Sequence, residues 1–174
     1  MKETFSFQTA KVVGTPADGF WSQVHSFSPQ SPEKKEKRGD LLAVLVIRGV
    51  SEGIESVAAG REVLSRLHEE YFGNLSGSAF ERLSEAVAKV GRENQDLEII
   101  AGVLLGSVLH LAILGTGKVF LKRGEKTGIL LNGGGEVKTA SGYLQEGDLL
   151  VLGSSHFFNL VSTDALKTNL GVGR

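Results

Sequence analysis

The chain has no cysteine among its 174 residues, only three prolines and one tryptophan, and no excess of either charge. Without cysteine there are no disulfides, no thiolate zinc sites and no thiol nucleophile. A net charge of −1, from 19 basic and 20 acidic residues, lacks the basic footprint of a nucleic-acid binder and the acidic tract of a solvating tail. The first residues, MKETFSFQTAKVVG, lack the apolar core of a secretory leader. The expected location is cytoplasmic.

Long apolar runs are scarce too. The chain is free of formal charge from Ile99 to Gly117, close to the roughly 20 residues that span a bilayer. Gly102, Gly106, Ser107, His110, Gly115 and Gly117 dilute that run, and Gly106-Ser107 sits where a two-residue hairpin turn belongs. Two buried strands account for it better than one membrane helix, so direct membrane insertion is not expected.

What is present is a globular composition, 41% hydrophobic and 22% charged, in a chain long enough for one sizeable core. The expected domain covers 1–165, with 166–174 a tail or a linker to a further region. Residues 3–13 alternate through Phe5, Phe7 and Thr9 and predict a half-buried strand. A turn cluster follows at 14–19, then a second alternating strand at 20–27. Residues 28–39, SPQSPEKKEKRG, hold two prolines and a mixed charge run and read as a surface loop. Leu41–Ile47 is continuously apolar, the mark of a strand buried on both faces.

From Ser51 to Phe72 the apolar residues fall on one helix face, with Ser51 as N-cap and Gly73 as stop. Ser78-Ala79-Phe80-Glu81 is a capping box that opens a second helix, ending by Asn94. Strands are predicted at 97–105, 107–114, 118–123, 127–132 and 148–152, with a short strand or helix from His156 to Val161. Strands bracketing two adjacent helices make an α+β domain.

The order of these elements resembles the metal-dependent protein phosphatase (PPM) family. The similarity rests on GDLLAVLVIRGVSEGIESVAAGREVLSRLHEEYF at 39–72, the β-meander at 97–123, and the turn into a strand in GYLQEGDLLVLGSSHFF. Members of that family carry D-G-x-G-G after the first strand, G-D-S-R after the meander strand and S-D-G after G-D-x-L-L-L. The same places here read Arg48-Gly49-Val50-Ser51, Gly115-Thr116-Gly117-Lys118 and Ser154-Ser155-His156. The family's N-terminal R-x-x-N-E-D region corresponds to Thr15–Trp21, with Asp18 as its one carboxylate.

The resemblance implies an α-β-β-α sandwich of two antiparallel sheets with flanking helices, the helices of 51–73 and 78–93 side by side on one sheet. It also implies that Arg48, Thr116 and Ser155 stand where metal-binding aspartates would be. Only 18 residues follow His156, so part of the C-terminal helical layer is expected to be missing, or the chain is a piece of a longer protein. Hard divalent ions need several oxygen ligands, mostly carboxylate, so no metal, cofactor or catalytic residue is expected.

Other polar residues have simpler readings. Asp40 and Asp148 precede strands, where Asp ties backbone amides; with Gly49 and Gly115 they are read as structural turn residues. His25, His68, His110 and His156 lie on different elements, whereas a zinc or acid–base site needs several to converge. Ser154-Ser155-His156 is no nucleophile–base pair if neighbours on a strand point to opposite faces. Gly115-Thr116-Gly117-Lys118 lacks phosphate-loop spacing, and it and Gly133-Gly134-Gly135 read as hairpin turns.

The favoured function is a non-catalytic, phosphatase-like binding, regulatory or scaffolding module with a protein partner. A homodimer is a further expectation, because the sheet made by 97–152 would have an undercovered apolar face. Two alternatives stand beside it: a divergent metal-dependent serine/threonine phosphatase with a rebuilt metal site, and an oligomeric N-terminal domain of a larger membrane-attached protein.

Overall fold

The computed structural model describes residues 5–14, 19–49 and 54–170. Its elements run β1 (Phe20–Phe27), α1 (Pro32–Arg38), β2 (Asp40–Arg48), α2 (Ile54–Phe72), α3 (Ala79–Glu93), β3 (Leu97–Leu105), β4 (Val108–Gly115), β5 (Lys118–Arg123), β6 (Lys126–Asn132), β7 (Gly135–Tyr143), β8 (Leu149–Gly153), α4 (Ser155–Leu160) and α5 (Thr163–Asn169). Five strands form one antiparallel sheet in the order β1-β2-β3-β4-β7, and three form a second in the order β6-β5-β8.

The period-2 geometry of strands divides each central strand between two cores. Leu41, Ala43, Leu45 and Ile47 of β2, with Ile99, Ala101 and Val103 of β3, face Val63, Leu67, Tyr71, Leu83, Val87 and Val90 of α2 and α3. On the other side, Ile100 of β3 and Leu109, Leu111 and Ile113 of β4 meet Val119 of β5, with Leu150 and Leu152 of β8 beside them. This is why β3 is apolar almost throughout: helices cover one face and the small sheet the other. The capping box forms as read, with the Ser78 side chain and Glu81 each taking the other's backbone N–H. No helix among the described residues is long and apolar enough to cross a membrane.

Several expectations are corrected. Residues 5–14 form no strand and are mostly exposed; their alternation finds no paired neighbour among the described residues. Residues 28–39 are not all loop. Pro32 opens α1, where its fixed φ suits a first helical turn, and Glu33 pairs with Lys37 one turn on at 3.2 Å. Arg38, read as part of a solvated charge run, is 1% exposed. Its guanidinium donates to the carbonyls of Asn74 (2.8 Å), Ser76 (2.8 Å) and Gly77 (3.2 Å), so it caps the α2–α3 connection.

Strand β7 was not foreseen, because only Val137 and Ala140 of its nine residues turn partly inward. The expected single sheet from 97–152 is instead divided: β3, β4 and β7 lie in the large sheet, and β5, β6 and β8 in the small one. The segment from His156 is helical, as α4, and the expected tail beginning at 166 continues α5 as far as Asn169. Ser51, Val50 and the turn residues Thr15–Asp18 lie outside the described residues.

Candidate functional site

Arg48 ends β2, opposite Phe20 of the edge strand β1. Its backbone N–H donates to the Asp96 carbonyl at 3.1 Å, carrying the ladder one step past β3. Its guanidinium turns to Glu98, the second residue of β3, donating to Oε2 at 3.3 Å, and to the Ser155 hydroxyl oxygen at 2.9 Å. Ser155 closes the network. Its backbone N–H donates to Glu98 Oε1 at 2.8 Å and its hydroxyl to Oε2 at 3.1 Å.

Burial makes this network more than a surface pair. Glu98 is 4% exposed, and a carboxylate so placed is tolerated only when its oxygens are paired. Here both are. The Arg48 side chain, at 51% exposure, is the open end of the cluster. Gly115 packs against the Glu98 stem: a methyl there would lie 2.9 Å from its Cγ, and the φ of +94° also suits glycine. That contact sets the turn bearing Thr116 beside the cluster. Thr116 itself is exposed and takes no part in the hydrogen bonding.

The structure thus brings Arg48 and Ser155 together, with Thr116 on the adjoining turn. The residue that joins them, Glu98, escaped the sequence reading. Its signal was available: it is the only charged residue in the strand LEIIAGVLL, and a lone charge in a doubly covered strand needs a partner.

The remaining residues sit elsewhere. Asp40 begins β2, at the opposite end from Arg48, and its Oδ1 is buried with no hydrogen-bond partner among the described residues. Asp148 accepts from Arg123 at 2.8 and 2.6 Å and from the Gln145 N–H at 2.8 Å. The Arg123 hydrogen bond holds its carboxyl below the usual range. Gly49, at φ +71°, passes its N–H to the Gly19 carbonyl at 2.7 Å.

Ser154, Ser155 and His156 open a helix, correcting the strand assumed for them. The Ser154 hydroxyl caps α4 by accepting from the Phe157 N–H, and exposed His156 lies on the Phe20 ring, 5.5 Å between centroids. Two histidines do meet, contrary to the scattered expectation. His25 of β1 and His68 of α2 stand 5.3 Å apart, edge to face, each with a buried Nε2 that has no hydrogen-bond partner. His110 is separate, 2.8 Å from the Ser141 hydroxyl. Among the described residues no three histidine or carboxylate side chains gather to hold a metal.

The donor set at Arg48 does not suit a hard divalent ion. Such an ion needs several free oxygen ligands, but the one buried carboxylate is already saturated by three protein donors, and a cation occupies its open side.

No protein-family model matches the chain, and no curated protein does. Solved structures do. The Mycobacterium tuberculosis serine/threonine phosphatase PstP/Ppp aligns with a TM-score of 0.57 at 12% identity, over 88% of this chain and 85% of that one. The S. agalactiae serine/threonine phosphatase gives 0.58 at 12%, over 89% and 87%. The catalytic domain of the phosphatase PstP in complex with 2 manganese ions gives 0.55 at 14%, over 86% and 82%. Identity this low speaks for the fold alone. The chain has the fold of the PPM/PP2C serine/threonine phosphatases.

Proposed function

We propose that this chain is a non-catalytic phosphatase-like domain serving as a binding or regulatory module for a protein partner in the cytoplasm, with no part for nucleic acid. The observation that carries the reading is the Arg48–Glu98–Ser155 network. The resemblance puts metal aspartates at positions 48 and 155. Here those two side chains instead satisfy a buried glutamate. A two-metal phosphatase uses its ions to clamp the phosphoryl oxygens and to generate the attacking hydroxide. A guanidinium at the same place repels them: two unit charges at 4 Å cost about 4 kcal/mol at an effective dielectric near 20, and a divalent ion doubles that.

Calorimetric titration with Mn²⁺ and Mg²⁺ tests this directly, together with aryl-phosphate hydrolysis. The expected result is no micromolar binding and no turnover above a buffer blank at any metal concentration. Metal-dependent turnover abolished by substituting Asp18, Asp40 or Asp148 would overturn the reading in favour of a divergent phosphatase with a rebuilt site. The triple back-substitution Arg48→Asp, Thr116→Asp, Ser155→Asp gives the converse: metal affinity gained there would show that the backbone still has the shape of the old site.

A further inference from the structure

The two sheets are unequal, five strands against three, and the deficit lies over β1 and β2. Strand β8 pairs with β5 on one side only. Beyond its free edge is a slot of about 840 Å³, well within the range of roughly 300–1,000 Å³ typical of binding pockets. Its floor is the face of the large sheet turned away from the helices, with Val24 of β1 and Leu42 and Val44 of β2. Leu150 and Leu152 of β8 line it, as does the segment Phe5–Lys11.

We infer that this slot accepts an extended peptide strand from a partner protein. The inference rests on the proposed reading of the chain as a binding module and gives that module its class of partner. Three features select a strand. The open edge of β8 presents backbone N–H and C=O groups with no sheet neighbour among the described residues, the template for strand addition. A second stretch of the lining also lacks backbone partners: residues 5–14 make no backbone–backbone hydrogen bond among the described residues. The floor is apolar, so it takes alternate apolar side chains of a strand lying across it. A lipid would leave both stretches of backbone unpaired.

The chain's own N-terminal segment is not the occupant. Phe7 already packs on the second core, which anchors the segment by its side chain, and its backbone makes no hydrogen bond to β8.

Main-chain hydrogen bonds supply much of the affinity in strand addition, so a plain probe suffices: a capped heptapeptide alternating threonine and valine, added to the full chain. Hydrogen exchange followed by mass spectrometry should show those amides of Leu149–Gly153 that point away from β5 slowing tenfold or more with saturation. The same peptide with alternate backbone nitrogens methylated should have no effect. Val24→Lys, a charge on the floor at an edge strand, should abolish the protection. Val24→Trp should do so by bulk alone, and circular dichroism checks that each variant folds.

The proposal falls if the peptide leaves those amides unchanged up to millimolar concentration. It also falls if they are fully protected without peptide: independently of protein concentration, because the chain's own segment pairs, or dependently on it, because a second copy does. Aryl-phosphate turnover, scored on the same sample, would sink the non-catalytic reading while leaving strand binding to stand on its own result.

Discussion

Glu98 and Arg38 are both buried charges, and each is held by a different device. Glu98 is satisfied by three donors from two distant segments. Glu98→Leu removes the charge but leaves the Ser155 N–H without its acceptor, and should cost about 1–3 kcal/mol. Glu98→Gln keeps an acceptor oxygen and should cost less. Arg48→Met should cost only about 1 kcal/mol, because the arginine is half exposed and solvent screens the pair. Urea denaturation of the three variants checks the order. Arg38 is more demanding: its planar fork covers three carbonyls that an ammonium cannot span. Arg38→Lys should lower stability by about 2 kcal/mol, several degrees in melting temperature for a chain this size. An unchanged melting curve would mean that water replaces the guanidinium.

At the scale of elements, the seam between β1 and α2 is built from His25, Phe27, His68 and Phe72. The Phe27 and His68 rings lie 4.2 Å apart, and those of Phe27 and Phe72 5.1 Å. Burial lowers the pKa of both histidines from 6.5; Lys11 adds to the effect on His25, and His25 and Lys34 to that on His68. A lowered folded-state pKa means that the unfolded chain takes up protons first. Stability is therefore fully present above the unfolded value and is lost as pH falls through about 6.5 towards the folded values.

The urea midpoint should drop between about pH 7.5 and pH 5. His68→Phe should make that drop shallower while keeping the ring packing; the rest stays with His25, lowered chiefly by its own burial, and with His110, which burial shifts the same way. A variant with an undiminished pH slope would place the effect elsewhere. The α1–β2 junction offers a second test. Gly39 has φ +66°, and a methyl there would lie 2.0 Å from the Leu104 carbonyl oxygen. Gly39→Ala should cost more than the roughly 1 kcal/mol of an ordinary left-handed alanine, because fixed backbone blocks it as well.

The whole molecule is two sheets joined where the chain leaves β4 and enters β5. Gly117 sits in that crossing, and a methyl on it would meet Ile100 Cγ1 at 2.4 Å and the Gly153 carbonyl at 2.7 Å. Gly117→Ala touches both sheets at once and should cost about 1–3 kcal/mol by overpacking. Its unfolding should remain one transition by fluorescence and circular dichroism, since the cores share β3. Separate transitions would mean that the small sheet melts on its own.

How far the sequence alone reaches depends on where each signal lies. The paired helices, the capping box, the hairpin at Gly106-Ser107 and the doubly covered β3 come from local periodicity and turn chemistry, which adjacent residues carry in full. Strand β7 and the failed strand at 5–14 show the limit. The first has little inward apolar surface to mark it; the second has the alternation but no neighbour, and pairing is not a property of one segment. Arg38 looked solvated because the carbonyls that claim it lie nearly forty residues away.

The same holds at the site. Arg48 and Ser155 could be singled out by position in an element order, but their meeting on Glu98 spans 107 residues of chain. Local sequence determined the elements, because helix and strand preferences act over a few residues. Tertiary structure decided which charges are buried, which strand edge stays open and which side chains meet, because those depend on distant segments being brought within hydrogen-bond reach.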